Sequence, residues 1–311
     1  MNTLRQAAEE YLAMRRCLGF KLQKAGPVLL DFITFMERHR AAHITVALAL
    51  AWAKQPLHSQ PDTWAQRLSY VRIFARHRCT TDPRTQVPPA SLLPFRPKRA
   101  RPYLYSNREI RDLLRATLRL PCHDGLRPWA YCCLFGLLSV TGLRIGEAQN
   151  LRLEDVDLKA GVLTIRNAKF GKDRLVPLHP STLRVLSRYI ARRRRLWAAR
   201  PASDYLFISG RGHRLDGGDI RRTFYRLSRQ IGLRAPGKRH GPRLHDMRHR
   251  FASRTLLRWY RAGVDPERRL PVLSAYLGHV HWSDTYWYLS AFPELMRQAM
   301  SRLERRWESR P

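Results

Sequence analysis

A chain of 311 residues is long enough for two domains of ordinary size, and its 58 Lys and Arg against 24 Asp and Glu leave a formal net charge of +34. Solubility does not require that imbalance, so polyanions are the expected partners, nucleic acid ahead of an anionic membrane. No stretch approaches the roughly 18 apolar residues that cross a bilayer, and the charged N-terminus has no signal-peptide core, so a soluble protein is expected.

Residues 3 to 18 read as a helix with Thr3 as N-cap and apolar positions at Leu4, Ala8, Tyr11, Leu12 and Met14. Gly26-Pro27 punctuates the pattern. Val28 to Arg40 then gives a second helix, Thr45 to Lys54 a third, and Pro61 to His77 a fourth carrying Trp64, Leu68, Val71, Ile73 and Phe74. Short helices with no strand signal predict a small helical bundle over 1–88. Arg67, Arg72 and Arg76 are its candidates for a DNA-facing side, although a solvated helix face explains any one of them equally well. Between Thr80 and Pro102 the period stops and six prolines appear, which is linker chemistry. Residues 89–103 are the expected connector, and Arg96, Lys98, Arg99 and Arg101 give it a charge that a plain solvated linker would not need.

From Ser106 the helical pattern resumes, with Glu109 three residues later completing a capping box. Pro128 to Val140 is almost wholly apolar and predicts a buried helix in which Cys132 and Cys133 are buried free thiols. The five cysteines lack any CxxC spacing, so neither a zinc site nor a disulfide framework is supported, and a reducing intracellular setting is expected. Thr141-Gly142 ends the buried helix. The next, Leu143 to Asn150, places Arg144 at the turn between them. LRLEDVDL, GVLTIRNA and DRLVPLH are short, β-branched and partly alternating, which predicts a small antiparallel sheet with Lys169 and Lys172 at its second turn. Pro180 to Trp197 is a strongly basic helix, Asp219 to Ile231 another, and Arg234 to Arg243 a basic loop. The predicted fold class is therefore mainly α with a small antiparallel β-sheet.

After that loop comes RLHDMRHRFAS, and further on YLGHVHWSDTYWYLSAF. His245 and Arg248 stand at i, i+3 in a segment of helical period, so one face can present both to a single anion. His279 follows, and Tyr288 stands nine residues after it. Tyr286 competes with Tyr288, but two residues on a helix point about 200° apart, so only one of them can face a given phosphate. Arg144, Lys169, His245, Arg248, His279 and Tyr288, in that order, resemble the tyrosine recombinases, the integrase family that includes lambda-type phage integrases and Xer-type resolvases. The resemblance covers about Tyr103 to Met300 and is one of general layout before that.

By that resemblance, residues 104–292 form the catalytic domain and 1–88 a helical core-binding domain. Arg144 takes the place of the first catalytic arginine and Glu147 that of the acidic residue after it. Lys169 takes that of the hairpin lysine, with Lys172 its competitor. His245 and Arg248 match the H-x-x-R pair, His279 the histidine of L-G-H, and Tyr288 the nucleophile. The implied chemistry is strand cleavage and rejoining through a 3′-phosphotyrosine, with no metal, ATP or other cofactor. Arginine suits phosphate because its planar fork holds two oxygens and stays charged. The implied partners are DNA sites and further recombinase subunits, as a tetramer of one chain or a hetero-oligomer with related recombinases. The setting would be the bacterial cytoplasm, at the nucleoid. The TYWYLSAFPELM ending looks most like recombinases of mobile elements. Residues 293–311 read as an amphipathic tail helix, packed on its own domain or docked on a neighbouring protomer. A type IB topoisomerase-like nicking-closing enzyme and a noncatalytic DNA-binding protein of the same fold are the alternatives.

Overall fold

The computed structural model describes residues 3–57, 59–93, 101–122, 125–166, 173–199, 201–237, 241–279, 281, 283–290 and 293–308. Arg96, Lys98, Arg99, Lys169 and Lys172 lie outside the described residues. The chain divides into two compact units, 1–100 and 101–311.

The first unit holds α1 (Leu4–Cys17), α2 (Ala25–Arg38), α3 (Val46–Lys54) and α4 (Pro61–Arg78). Thr3 starts α1 by a reciprocal cap, its hydroxyl taking the Gln6 N–H at 3.2 Å while Gln6 Oε1 takes the Thr3 N–H at 3.0 Å. Leu12, Phe32, Ile33, Met36, Trp52, Leu68, Val71 and Phe74 form the core. The periodic pattern ends at α4, yet the packing does not. Gln86 donates its N–H to Ile44 O at 2.8 Å, and Leu92 and Leu93 rest on the helical core. Proline removes helical period without preventing burial, so the unit reaches further along the chain than the pattern shows. Arg67 lies 3.9 Å over the Trp52 ring and reaches Asp31 at 3.2 Å. Arg72 donates to Pro88 O and Pro89 O at 2.7 and 2.8 Å. Both are thus engaged within the unit, whereas Arg76 is exposed.

In the second unit Ser106 and Glu109 cap α5 (Asn107–Leu118) as a capping box. α5 packs on α6 (Arg127–Thr141), whose residues are apolar nearly all round and largely buried. Then come α7 (Ile145–Asn150), a 3-10 turn at Leu153–Asp155, and three strands, β1 (Val156–Asp157), β2 (Val162–Ile165) and β3 (Arg174–Pro177). The sheet is antiparallel in the order β1-β2-β3, with Leu163 opposite both Val156 and Val176. Leu163, Ile165 and Val176 point into the core, while Leu175, between inward neighbours, is exposed. α8 (Pro180–Leu196) and α9 (Gly217–Gln230) complete the main cluster.

α10 (His245–Arg261) joins this cluster to a second, built with α11 (Pro266–Leu277), α12 (Ser283–Ser290) and α13 (Pro293–Glu308). Ala252, Leu256, Leu270, Leu273, Leu277, Tyr288 and Leu295 are its buried members. α13 begins against α10 of its own chain, with Leu295 buried and Glu294 paired with Arg261 at 2.6 Å, while Met296 and Met300 are exposed. Among the described residues, no helix is long and apolar enough to cross a membrane.

Candidate active site

Two left-handed glycines create the site's backbone. α6 stops at Gly142 (φ 64°) and α11 at Gly278 (φ 67°), conformations that glycine adopts without a Cβ penalty. The stops turn two carbonyls, from Gly142 and Leu277, toward α10. Arg248, 2% exposed, donates Nη1 to Gly142 O at 2.9 Å and Nη2 to Leu277 O at 2.6 Å. Its guanidinium is therefore fixed by loops from both sides. Burial, with the Arg144 charge next, lowers its pKa to about 10, so it stays protonated at neutral pH.

Arg144 stands at the N-cap of α7, one residue beyond Leu143 and close behind Gly142. Its Nη1 donates to Glu147 Oε1 at 2.8 Å and its Nη2 to Gly278 O at 3.0 Å, so it spans the same two loops as Arg248. Glu147 is also gripped from β3. Arg174 donates Nη2 to Oε2 at 2.7 Å and Nη1 to Oε1 at 3.1 Å, and its Nε bonds Tyr276 O at 2.8 Å. Burial pushes the Glu147 carboxyl up, but Arg174 and then Arg144 outweigh it, and the net shift is downward. Glu147 is an ionised strut between two arginines.

Tyr288 comes from α12 and is 2% exposed, whereas Tyr286 is 49% exposed on the other side of that helix. Burial raises the Tyr288 pKa, opposed by the Arg248 charge, by a hydrogen bond from Arg248 and by Arg144. The phenol is therefore protonated at neutral pH, with its hydroxyl at Arg248. His279 stacks beside it, ring centroids 6.1 Å apart and planes 16° from parallel. Its Nδ1 pairs with Thr285 Oγ1 at 2.7 Å. Burial and then Arg248 lower the His279 pKa to about 4. His245 is shifted down as well, by burial and then by Arg248, so both imidazoles are neutral at pH 7.

The structure thus gathers Arg144, Glu147, His245, Arg248, His279 and Tyr288, while Arg101 is exposed at the start of the unit. Sequence reasoning missed Arg174, Thr285 and His249. Arg174 had a signal, because it shares the inward face of β3 with Val176, and a charge there requires a buried partner. Thr285 and His249 had none. Among the described residues, no group of three or more His, Cys, Asp and Glu side chains could hold a metal ion.

The chain matches the phage integrase family over residues 106–294. It belongs to that family. It is 63% identical over its whole length to the Sinorhizobium fredii integrase/recombinase y4rB, itself fully covered. It is 32% identical to tyrosine recombinase XerA of Pyrococcus furiosus over 53% of this chain and 52% of that one. Among solved structures it resembles the Tn1549 transposon integrase in complex with transposon right end DNA, with a TM-score of 0.66, 18% identity, and 96% and 99% of the two chains covered. The protein is thus a tyrosine recombinase, of a family that cleaves and rejoins DNA strands, and the predicted mainly helical fold with a small antiparallel sheet is present.

Proposed function

We propose that this integrase-family protein cleaves DNA through a covalent 3′-phosphotyrosine at Tyr288 and exchanges strands for the integration or transposition of a mobile element. The observation that carries this reading is the buried Tyr288 phenol meeting the doubly anchored Arg248, with Arg144 tied to the same two loops. An incoming phosphodiester brings charge that grows during attack, and two fixed guanidinium groups stabilise it without reorganising. The Tyr288 oxygen bonds to phosphorus as the bond to the 5′ oxygen breaks. The phenolic proton passes to His245, which is neutral and free to accept it. His279 Nδ1 and Thr285 Oγ1 are 2.7 Å apart; in this reading the hydroxyl is the donor, so the neutral His279 carries its proton on Nε2 and offers it to a nonbridging oxygen. Lys169, outside the described residues, protonates the leaving 5′ oxygen, and Lys172 is its competitor. The 5′-hydroxyl of a partner strand then reverses the step, so the bond energy is kept.

The net charge of +34 supports DNA as the partner, in the bacterial nucleoid, with Arg76, Arg101 and the basic connector around Arg96, Lys98 and Arg99 as backbone contacts. The Tn1549 relative's complex with a transposon end supports the mobile-element role. Strand exchange between two duplexes calls for four subunits, and the exposed Met296 and Met300 of α13 suit a contact with a neighbour.

The test uses a nicked duplex carrying the cognate site, selected by binding from a random-sequence pool, without divalent metal. Wild type and Tyr286→Phe should give a covalent protein–DNA adduct on a denaturing gel, and Tyr288→Phe none. An adduct lost only in Tyr286→Phe would move the nucleophile, and no adduct despite tight binding would leave a noncatalytic DNA-binding protein.

A further inference from the structure

One aromatic group at the site has no part in that chemistry. His249 follows His245 by four residues on α10, so the two imidazoles leave the same helix face. Its ring centroid lies 4.8 Å from that of His245 at 90°, 5.5 Å from that of Tyr288 at 58°, and 5.1 Å from that of Trp287 at 61°. It therefore touches both members of the pair that exchanges the phenolic proton, and the residue before the nucleophile. Its Nδ1 is buried without a hydrogen-bond partner, in contrast to Nδ1 of His279. Buried polar atoms are nearly always paired, so the bare Nδ1 calls for an explanation, and the contacts of the ring with His245, Trp287 and Tyr288 supply one: the side chain is placed by its faces.

Charge gives the same answer. Burial and then His245 hold His249 down to about 4; Arg243 and Arg248 act in the same direction and Asp246 opposes them. The ring is neutral at pH 7, as a spacer beside a proton acceptor should be. A second imidazolium there would repel the proton that His245 must take.

We propose that His249 is a positioning residue for the nucleophile: an aromatic spacer whose faces set the plane of the Tyr288 phenol and its separation from His245, acting by shape and not through its nitrogens. This rests on Tyr288 as the nucleophile. A phenol displaced by about 1 Å loses attack geometry, at a cost of up to about a hundredfold in rate, without loosening the grip on DNA.

The experiment measures DNA affinity and the single-turnover rate of adduct formation across the neutral pH range for His249→Phe, His249→Asn and His249→Ala, with wild type and Tyr288→Phe alongside. His249→Ala and His249→Asn should bind the nicked duplex as wild type does and form adduct at least about tenfold more slowly. His249→Phe should recover the rate to within about threefold, with the pH–rate profile unmoved, because the ring it replaces does not titrate there. Wild-type rates in His249→Ala would overturn the proposal. So would recovery by Asn where Phe fails, or a displaced profile in His249→Phe, since either gives a nitrogen a part in proton transfer. If His249→Ala does not fold, the Phe and Asn variants still separate shape from nitrogen. Failure of wild type to form any adduct removes the nucleophile and this inference together, whereas a normal adduct with an unaffected His249→Ala removes the inference alone.

Discussion

Glu147 receives both arms of the Arg174 guanidinium, at 2.7 and 3.1 Å, on the same two oxygens that take the Arg144 side chain and backbone N–H. The strand residue thereby fixes the arginine of the α6–α7 turn through a carboxylate only 7% exposed. Arg174→Ala would leave that carboxylate with one cation and should destabilise the catalytic unit by about 3 kcal/mol in urea unfolding. Arg174→Lys keeps the charge but not the fork or the bond to Tyr276 O. Its adduct rate should fall by about tenfold while its stability loss stays smaller.

The depressed histidines of the site, His245, His249 and His279, make stability depend on acid pH. His249 and His279 move from an ordinary value of 6.5 to about 4 in the folded protein. Between those values the unfolded chain binds more protons than the folded one, so stability rises with pH through this window. It is fully present above 6.5 and lost progressively as pH falls toward 4. The urea midpoint of wild type should decline across that interval, and His249→Phe should decline less steeply by one proton's share of the slope. An unchanged slope would mean that His249 is not neutralised by folding.

Much of the helical framework was legible because its signals are local. Thr3, and Ser106 with Glu109, name two helix starts, Gly142 names a stop, and alternation around Leu163 and Val176 marks the sheet. What stayed hidden depends on neighbours distant in sequence. Arg174 reads as an ordinary strand charge until Glu147 is brought to it, and His249 reads as part of the H-x-x-R helix until α12 lays Tyr288 and Trp287 against it. Charge runs are equally mute about direction. Arg67 and Arg72 share a helix and a composition with Arg76, yet only packing reveals that Trp52 and the Pro88 and Pro89 carbonyls engage the first two.

Gly142 tolerates no side chain. Its φ of 64° is costly for any residue with a Cβ, and an added Cβ would stand 2.6 Å from Phe251 Cδ1 and 3.3 Å from Leu277 Cδ2. Backbone strain and overpacking together should cost Gly142→Ala about 3 kcal/mol. The Gly142 carbonyl is also the acceptor for Arg248 Nη1, so relief of the clash shifts the guanidinium. Adduct formation should fall by more than the folded fraction does, as read from single-turnover rates corrected by a parallel thermal melt. A rate that merely tracks folding would separate the turn from the chemistry.

Thr285 offers a cleaner test, because its change need not disturb packing. It is 1% exposed, on the first turn of α12, and its hydroxyl holds Nδ1 of His279 at 2.7 Å. Thr285→Val keeps the branched shape and removes the hydroxyl, leaving Nδ1 without a partner and the ring free to adopt the other tautomer. That tautomer presents a lone pair where a phosphate oxygen needs a proton, so adduct formation should drop by about tenfold with DNA affinity little changed. Thr285→Ser restores the hydroxyl and should restore most of the rate. Equal activity in Thr285→Val and Thr285→Ser would show that His279 is oriented by its stacking on Tyr288 alone.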